Sequence, residues 1–189
     1  MRYVPSIIEF NGTVELNYDL YSRLLKDRIV FIDDQIDEDS SSSVIGQLMF
    51  LDSQNNDEIT MVITSPGGSV YHGLSIIDTM NMIKSPVKVV CMGMAASMGA
   101  MILSAGAKGR RFASKSARIM IHSVSSWAQG TYHDMKIDIA ETEYLQKYLI
   151  NMLSENTGKS KQKIAKDMER DKWFSAEEAK VYGLIDESI

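Results

Sequence analysis

Ser97 is the residue of this chain whose type and surroundings best suit a nucleophile. It lies in an uncharged stretch, VVCMGMAASMGAMILSAGA, that runs from Val89 to Ala107. The β-branched residues before Gly93 predict a buried strand, and the small and apolar residues after it predict a turn and a buried helix. A serine near the start of that helix either caps it or acts as a nucleophile beside free main-chain N–H groups. On these residues alone the cap is the more common role, and both interpretations stay open.

A serine nucleophile needs a base, and the chain has three histidines. His72 and His133 are each expected in the first turn of a helix, at the surface. His122 follows a strand predicted for 118–121 and precedes a loop, where functional side chains are often displayed. His122 is therefore the best candidate base by position, although a histidine buried for structural reasons fits equally well.

An acid that orients the imidazole can be any of 25 carboxylates. Asp171 stands close to Trp173 and Phe174, which are expected to remove it partly from water, as this role favours. Spacing alone does not select Asp171.

Gly67 and Gly68 are a second candidate for chemistry, because they follow a strand predicted for 59–64. Their simplest role is a tight turn that needs positive φ angles. They also allow a substrate backbone to approach closely, so that the N–H groups of Gly68 and Met98 can bind an oxyanion. This second role requires the two turns to be neighbours at the carboxyl ends of adjacent parallel strands.

The elements that must position these residues predict an α/β fold. Two successive strand–turn–helix units, starting at residues 59 and 87, predict right-handed crossovers and a largely parallel sheet buried on both faces. A strand is expected to end at Met92. A long helix is predicted from Tyr132 to Asn156, and its apolar residues lie on more than one face. Its second face is therefore expected to pack against another subunit.

Shorter elements are predicted towards both ends. Residues 1–17 are interpreted as a terminal arm. A helix is expected over residues 44–51, capped by one serine of the run 40–43. Ser175 is predicted to cap a short helix near the end of the chain through a capping box.

Composition fits one globular domain over residues 1–189, with 44% hydrophobic and 24% charged residues. A net charge of −5 disfavours a nucleic-acid partner. The glycines of the uncharged stretch disfavour a membrane span. A single cysteine, Cys91, and the absence of a signal-type N-terminus predict a cytoplasmic location.

Four segments of the chain resemble the proteolytic subunit of the Clp protease, the ClpP family. The segments are ITSPGGSVYHGLSIIDTM (63–80), CMGMAASMGAMILSAGAKGRRF (91–112), RIMIH (118–122) and ERDKWFSAEEAKVYGLID (169–186). The resemblance covers essentially the whole chain. It implies a crotonase-like β/α spiral with a protruding long handle helix, a handle region at about 123–158 and an axial arm at 1–17. Because the sequence starts close to that arm, little or no propeptide is expected.

The resemblance also implies roles for the candidate residues. Ser97 would be the nucleophile, His122 the base and Asp171 the orienting acid, with Gly68 and Met98 as the oxyanion hole. The implied activity is that of a serine endopeptidase, which cleaves unfolded polypeptides inside a tetradecamer of two stacked heptameric rings. An AAA+ unfoldase such as a Clp ATPase would be the partner and the user of ATP. No cofactor or metal is expected on this chain, which has no phosphate-binding loop.

Two alternatives remain at this point. One is a non-catalytic ring subunit that scaffolds or gates a partner. The other is an acyl-CoA enzyme of the related fold, which would use the Gly67-Gly68 turn without needing the Ser97, His122 and Asp171 set.

The chain departs from the family pattern at two places. Ser123-Val124 follow the base in place of the usual Gln-Pro, so the substrate groove beside Gly130 is expected to differ. The pocket that docks the unfoldase lacks the usual aromatic and leucine side chains, which predicts weak docking. The residues at those positions are Thr60, Val62, Met82 and Ser114.

Overall fold

The structure of the chain is a computed structural model, and it describes residues 4–126 and 128–189. It contains a seven-stranded sheet, a separate two-stranded hairpin and helices that pack on the sheet. The strands are β1 (Ser6–Asn11), β2 (Val14–Asp19), β3 (Ile29–Ile32), β4 (Ile59–Ser65), β5 (Val87–Ala96), β6 (Arg111–Ala113), β7 (Arg118–Ile121), β8 (Lys172–Ser175) and β9 (Glu187–Ser188). The helices are α1 (Leu20–Lys26), α2 (Glu38–Gln54), α3 (Val70–Met82), α4 (Met98–Ser104), α5 (Tyr132–Thr157), α6 (Lys161–Asp167) and α7 (Ala176–Tyr182).

The large sheet confirms the predicted α/β class. Strands β3, β4, β5, β6 and β9 are neighbours in that order, and every pair among them is parallel. Strand β7 pairs in parallel with the second half of β5, and β8 pairs antiparallel with β7. A parallel pair needs a crossover, and the chain between β4 and β5 supplies it as helix α3.

The sequence predicted a sheet that is buried on both faces. In the single chain this prediction is wrong for part of the sheet. Along β4, Ile59, Met61 and Ile63 are fully buried, whereas the alternate residues Thr60 and Val62 are only half-buried. Successive side chains of a strand point to opposite faces, so one face of β4 packs in the core and the other is partly open in the single chain.

Strand β5 is longer than predicted, because it continues past Met92 to Ala96. Gly93 was expected to end the strand, but with a φ of 77° it makes an irregularity within it, and the register with β4 shifts at this level. The turn into α4 is therefore reduced to Ser97 alone. The stretch from Val89 to Ala107 is thus a strand followed by a short helix, and no helix in the described part of the chain is both long and apolar enough to cross a membrane.

The prediction that a serine of the run 40–43 caps helix α2 is wrong. The helix starts earlier, and the carboxylate of Asp37 caps it by accepting a hydrogen bond from the Ser40 N–H at 2.9 Å. The Ser40 hydroxyl accepts from the Asp37 N–H at 2.9 Å, which completes a capping box. A carboxylate at this position also interacts favourably with the helix dipole, so the serines form the first turns instead of the cap.

Helix α5 has nearly the predicted limits, from a capping box at Thr131 to a left-handed glycine at 158. Its 26 residues make it about 39 Å long. Its buried residues, Leu145, Leu149 and Leu153, all lie in the second half. The large apolar side chains that stay exposed on this helix are Tyr132, Ile137, Ile139, Tyr144 and Tyr148.

The terminal arm is a hairpin whose two strands pair from Ser6 with Asp19 to Asn11 with Val14. It reaches two residues beyond the predicted boundary at residue 17. An ion pair between Arg23 and Glu9 attaches the hairpin to helix α1.

Arg111 binds main-chain carbonyl groups at the C-terminal ends of three helices. Its guanidinium binds both carboxylate oxygens of Asp186, at 3.0 and 2.6 Å. It also donates to three main-chain carbonyl groups at helix C-terminal ends. These belong to Ser104 in α4 (3.3 Å), Asn156 in α5 (3.0 Å) and Gly183 after α7 (2.9 Å). Burial alone would raise the pKa of Asp186, but the hydrogen bonds from Arg111 outweigh it and lower that pKa.

We expect Arg111→Ala to lower the free energy of unfolding by about 3–5 kcal/mol, because it leaves a partly buried carboxylate and three carbonyl groups without their donor. Arg111→Lys keeps the charge but not the planar fork, and should recover only part of the loss. Denaturant unfolding of the three proteins measures both effects. A loss below 1 kcal/mol for the alanine variant would contradict this role.

Candidate active site

The Ser97 hydroxyl does not cap helix α4. Ser97 has φ 55° and ψ −125°, a backbone conformation that is strained for a residue with a side chain, and its hydroxyl makes no capping hydrogen bond to the described chain. The Oγ atom lies instead 2.8 Å from Nε2 of His122. Of the two roles considered for Ser97, the geometry favours the nucleophile.

The pairing of β5 with β7 brings Ser97 and His122 together. Ala96 at the end of β5 pairs with Met120 in β7, and the Ser97 N–H donates to the Met120 carbonyl group at 2.9 Å. His122 directly follows β7. Parallel strands end at the same edge of a sheet, so the residues that follow β5 and β7 meet there.

The pairing of β7 with β8 brings Asp171 to the other side of the imidazole. Ile121 pairs with Lys172 in the antiparallel register, which places the residue after the first strand opposite the residue before the second. The Nδ1 atom of His122 lies 3.2 Å from Oδ1 of Asp171. Asp171 was expected to be partly desolvated, but in the single chain 63% of its side chain is exposed, so this desolvation is small.

The turn at Gly67-Gly68 packs directly against the Ser97 turn, as the sequence required for an oxyanion site. A Cβ atom on Gly67 would lie 2.6 Å from the Ala96 carbonyl oxygen and 2.6 Å from the Ser97 Cβ, so only glycine fits there. A Cβ atom on Gly68 would lie 2.2 Å from the Ile36 carbonyl oxygen. The Ile36 N–H also donates to the Gly67 carbonyl group at 2.9 Å, which holds the turn in place.

Gly68 and Met98 line one cavity together with Ser97 and His122. Met98 is the first residue of α4, and an N–H in that position has no acceptor within its own helix. The oxyanion role of these two N–H groups remains a prediction.

The cavity has a volume of about 410 Å³ and an apolar floor that the sequence did not reveal. Met101, Leu145 and Leu149 form the floor and are almost fully buried, and the hydroxyl of Tyr71, which also lines the cavity, donates to Glu141 at 2.8 Å. The only signal in the sequence is the four-residue spacing of the two leucines on the long helix. That spacing shows that they share a face of the helix but not what the face covers.

Asp167 anchors the segment that carries Asp171. Its carboxylate accepts hydrogen bonds from Lys172 at 2.6 Å, Lys163 at 2.9 Å and the Tyr182 hydroxyl at 2.8 Å. Burial by itself would raise the pKa of Asp167, but these three donors outweigh it and lower the pKa from 3.8 to about 2. Because Lys172 follows Asp171 directly, this cluster fixes the start of β8 beside His122.

We expect Asp167→Asn to lower the free energy of unfolding by about 2 kcal/mol at pH 7, since a pKa lowered by nearly two units corresponds to about that energy. The folded-state pKa lies below the unfolded one, so the contribution is full above about pH 4 and disappears as the pH falls towards 2. Denaturant unfolding of both proteins at pH 7, 4 and 3 tests this. A difference between the two proteins that does not shrink with falling pH would refute it.

The other candidate groups play no part in this arrangement. His72, in α3, lies 3.3 Å from the Ser41 hydroxyl, and His133 is exposed in the first turn of α5. Cys91 is buried in β5, and burial raises the pKa of its thiol to about 12. Within residues 4–126 and 128–189, no group of three histidine, cysteine or acidic side chains is arranged to hold a metal ion.

The parallel sheet, the short helix after β5 and the long helix α5 with its exposed first half agree with the crotonase-like α/β fold. A more specific assignment comes from the sequence model of the Clp protease family, which matches residues 12–189. The chain therefore belongs to the Clp protease family. This confirms the resemblance that four sequence segments had indicated.

Proposed function

We propose that this chain is an active serine endopeptidase of the Clp protease family. The observation that carries the proposal is the continuous line of contacts from Ser97 Oγ to His122 Nε2 and from His122 Nδ1 to Asp171 Oδ1. A nucleophile, a base within hydrogen-bond reach and a group that orients the base are what acyl transfer needs.

In the proposed reaction, Ser97 Oγ attacks the carbonyl carbon of a peptide bond while Nε2 of His122 takes its proton. Asp171 accepts the hydrogen bond from Nδ1–H and stabilises the imidazolium that forms. The oxyanion of the tetrahedral intermediate binds to the N–H groups of Gly68 and Met98. The carbon–nitrogen bond then breaks as His122 returns the proton to the leaving amine, and water hydrolyses the acyl-enzyme in the same way.

The apolar floor of the cavity supports a polypeptide substrate with an apolar side chain at the cleavage point. Unfolded chains expose such side chains, whereas folded proteins bury them. Members of the family are supplied with unfolded chains by an AAA+ ATPase, and we extend that partner to this chain.

Assembly into two stacked heptameric rings is part of the proposal. Five large apolar side chains stay exposed along α5, with Ile137 at 67% and Tyr144 at 60%. Exposed apolar side chains in this number on one helix are typical of an interface. Membership of the family suggests that a second copy of the chain covers these exposed side chains.

The alternative of a non-catalytic ring subunit is less well supported, because such a role does not need a hydroxyl 2.8 Å from an imidazole nitrogen. An acyl-CoA enzyme of the related fold would use the Gly67-Gly68 turn but would not need the contact between Ser97 and His122.

Labelling of the assembled protein with a serine-directed phosphonate, followed by peptide mapping, tests the nucleophile. We expect an adduct on Ser97, and we expect Ser97→Ala to reduce cleavage of short fluorogenic peptides by about 10³-fold or more. Assembly should persist, because alanine has the same Cβ atom at this strained position. Ser42→Ala, an exposed serine on α2, is the matched control and should change neither result. Wild-type protein without an adduct and without cleavage would exclude an active peptidase.

Docking of the unfoldase is expected to be weak with an ATPase from an unrelated source. Thr60, Val62 and Ser114 are half-buried and offer little apolar area for a partner, and Met82 is exposed. Peptide and protein degradation with and without such an ATPase measures the effect. Strong stimulation would show that these smaller side chains still form a working docking site.

A further inference from the structure

Residues 123–126, which follow the base, form a thin wall between two cavities. On one side, all four line the cavity that contains Ser97. On the other, Ser123, Val124 and Ser126 line a second cavity of about 430 Å³, which is completed by side chains of α5. Because there is space on both sides of this segment, the specific contacts that it makes decide its position.

Two polar contacts from α5 hold this wall. The Val124 N–H donates to Oε1 of Gln146 at 2.7 Å. One turn earlier on the helix, the hydroxyl groups of Thr142 and Ser126 share a hydrogen bond of 2.8 Å. The Val124 side chain also packs against the core. The contact with Gln146 restrains the main chain itself.

The main-chain N–H of Val124 needs a hydrogen-bond acceptor. Proline, which is usual here in the family, has no N–H, whereas valine carries one donor that must be satisfied where water is partly excluded. Val124 is half-buried, and a donor left unpaired there costs more than the net value of a hydrogen bond. The side-chain oxygen of Gln146 supplies the acceptor.

We propose that Gln146 is a positioning residue, which holds the wall of the substrate cavity by binding the Val124 N–H. The proposal rests on the proposed peptidase function, since it assigns this wall a part in binding the substrate. Gln146 does not touch the reacting atoms. It acts through residues 123–126, which begin directly after His122.

Three variants of the full, assembled chain test the proposal. Gln146→Leu removes the acceptor at similar size, and Gln146→Glu keeps an acceptor oxygen. Gln162→Leu makes the same change as the first variant at an exposed position on α6 and serves as the control. The readouts are amide hydrogen exchange of fragments that contain residue 124, and kcat and KM for a short fluorogenic peptide.

We expect Gln146→Leu to speed exchange at residue 124 and to raise KM about five- to tenfold, with kcat changed by less than about twofold. Gln146→Glu should restore both exchange and KM, and the control should match the wild type. A merely structural role would lower the stability of the protein without this division between KM and kcat.

Unchanged exchange at residue 124 in Gln146→Leu would overturn the proposal, as would a Gln146→Glu variant with the same raised KM as the leucine variant. If the wild type takes no phosphonate on Ser97, the peptidase function is what fails. The exchange experiment still decides in that case whether Gln146 holds the wall.

Discussion

Strand β5 pairs with β6 through its first half and with β7 through its second half. Because the partner of β5 changes along its length, the ends of β5 and β7 lie side by side, and Ser97 meets His122 there. The pairing needs β5 to be long, and Gly93 permits that length by absorbing an irregularity in the middle of the strand. The contact between Ser97 and His122 therefore depends on main-chain hydrogen bonds of the sheet, which hold it more firmly than surface side chains could.

The strained backbone of Ser97 is stable because its surroundings leave it no alternative. Its N–H is bound to the Met120 carbonyl group, and its own carbonyl group accepts from Ala100 and Met101 at the start of α4. The Gly67 backbone packs against it from the third side. A conformation of this kind costs about 1–3 kcal/mol, which these contacts must offset. The result is a hydroxyl that points at the imidazole and away from the helix it precedes.

The sequence predicted those parts of the site that depend on local signals. Gly67-Gly68 marked one turn, the end of an apolar strand marked His122, and the helical pattern from residue 132 to 156 predicted nearly the observed limits of α5. Asp171 could not be selected by spacing, because its position depends on the antiparallel pairing of two four-residue strands about 50 residues apart. The family resemblance was needed to choose it.

Other features that the sequence did not predict also depend on contacts that no local pattern reveals. The length of β5 depends on the partner β7, which no pattern within β5 announces, and the cap of α2 depends on which of several polar residues adopts an extended backbone. The cavity floor and the Gln146 contact join residues that are distant in sequence. Periodicity predicts which residues share a face of an element, but only packing decides what that face meets.

The exposure of Asp171 determines how it can act. Most of its side chain is in contact with water, where the attraction between a carboxylate and an imidazolium is weakened by the high dielectric constant. In the proposed triad, the effect of Asp171 must then come mainly from orientation of the His122 ring, which requires a fixed carboxylate more than a desolvated one. The Asp167 cluster provides that fixed position through Lys172, with its anchoring carboxylate 8% exposed. Because the buried carboxylate is Asp167, four residues before Asp171, and Asp171 itself stays hydrated, the desolvation penalty does not fall on Asp171. Any subunit that covered Asp171 would strengthen its interaction with His122 without having to move it.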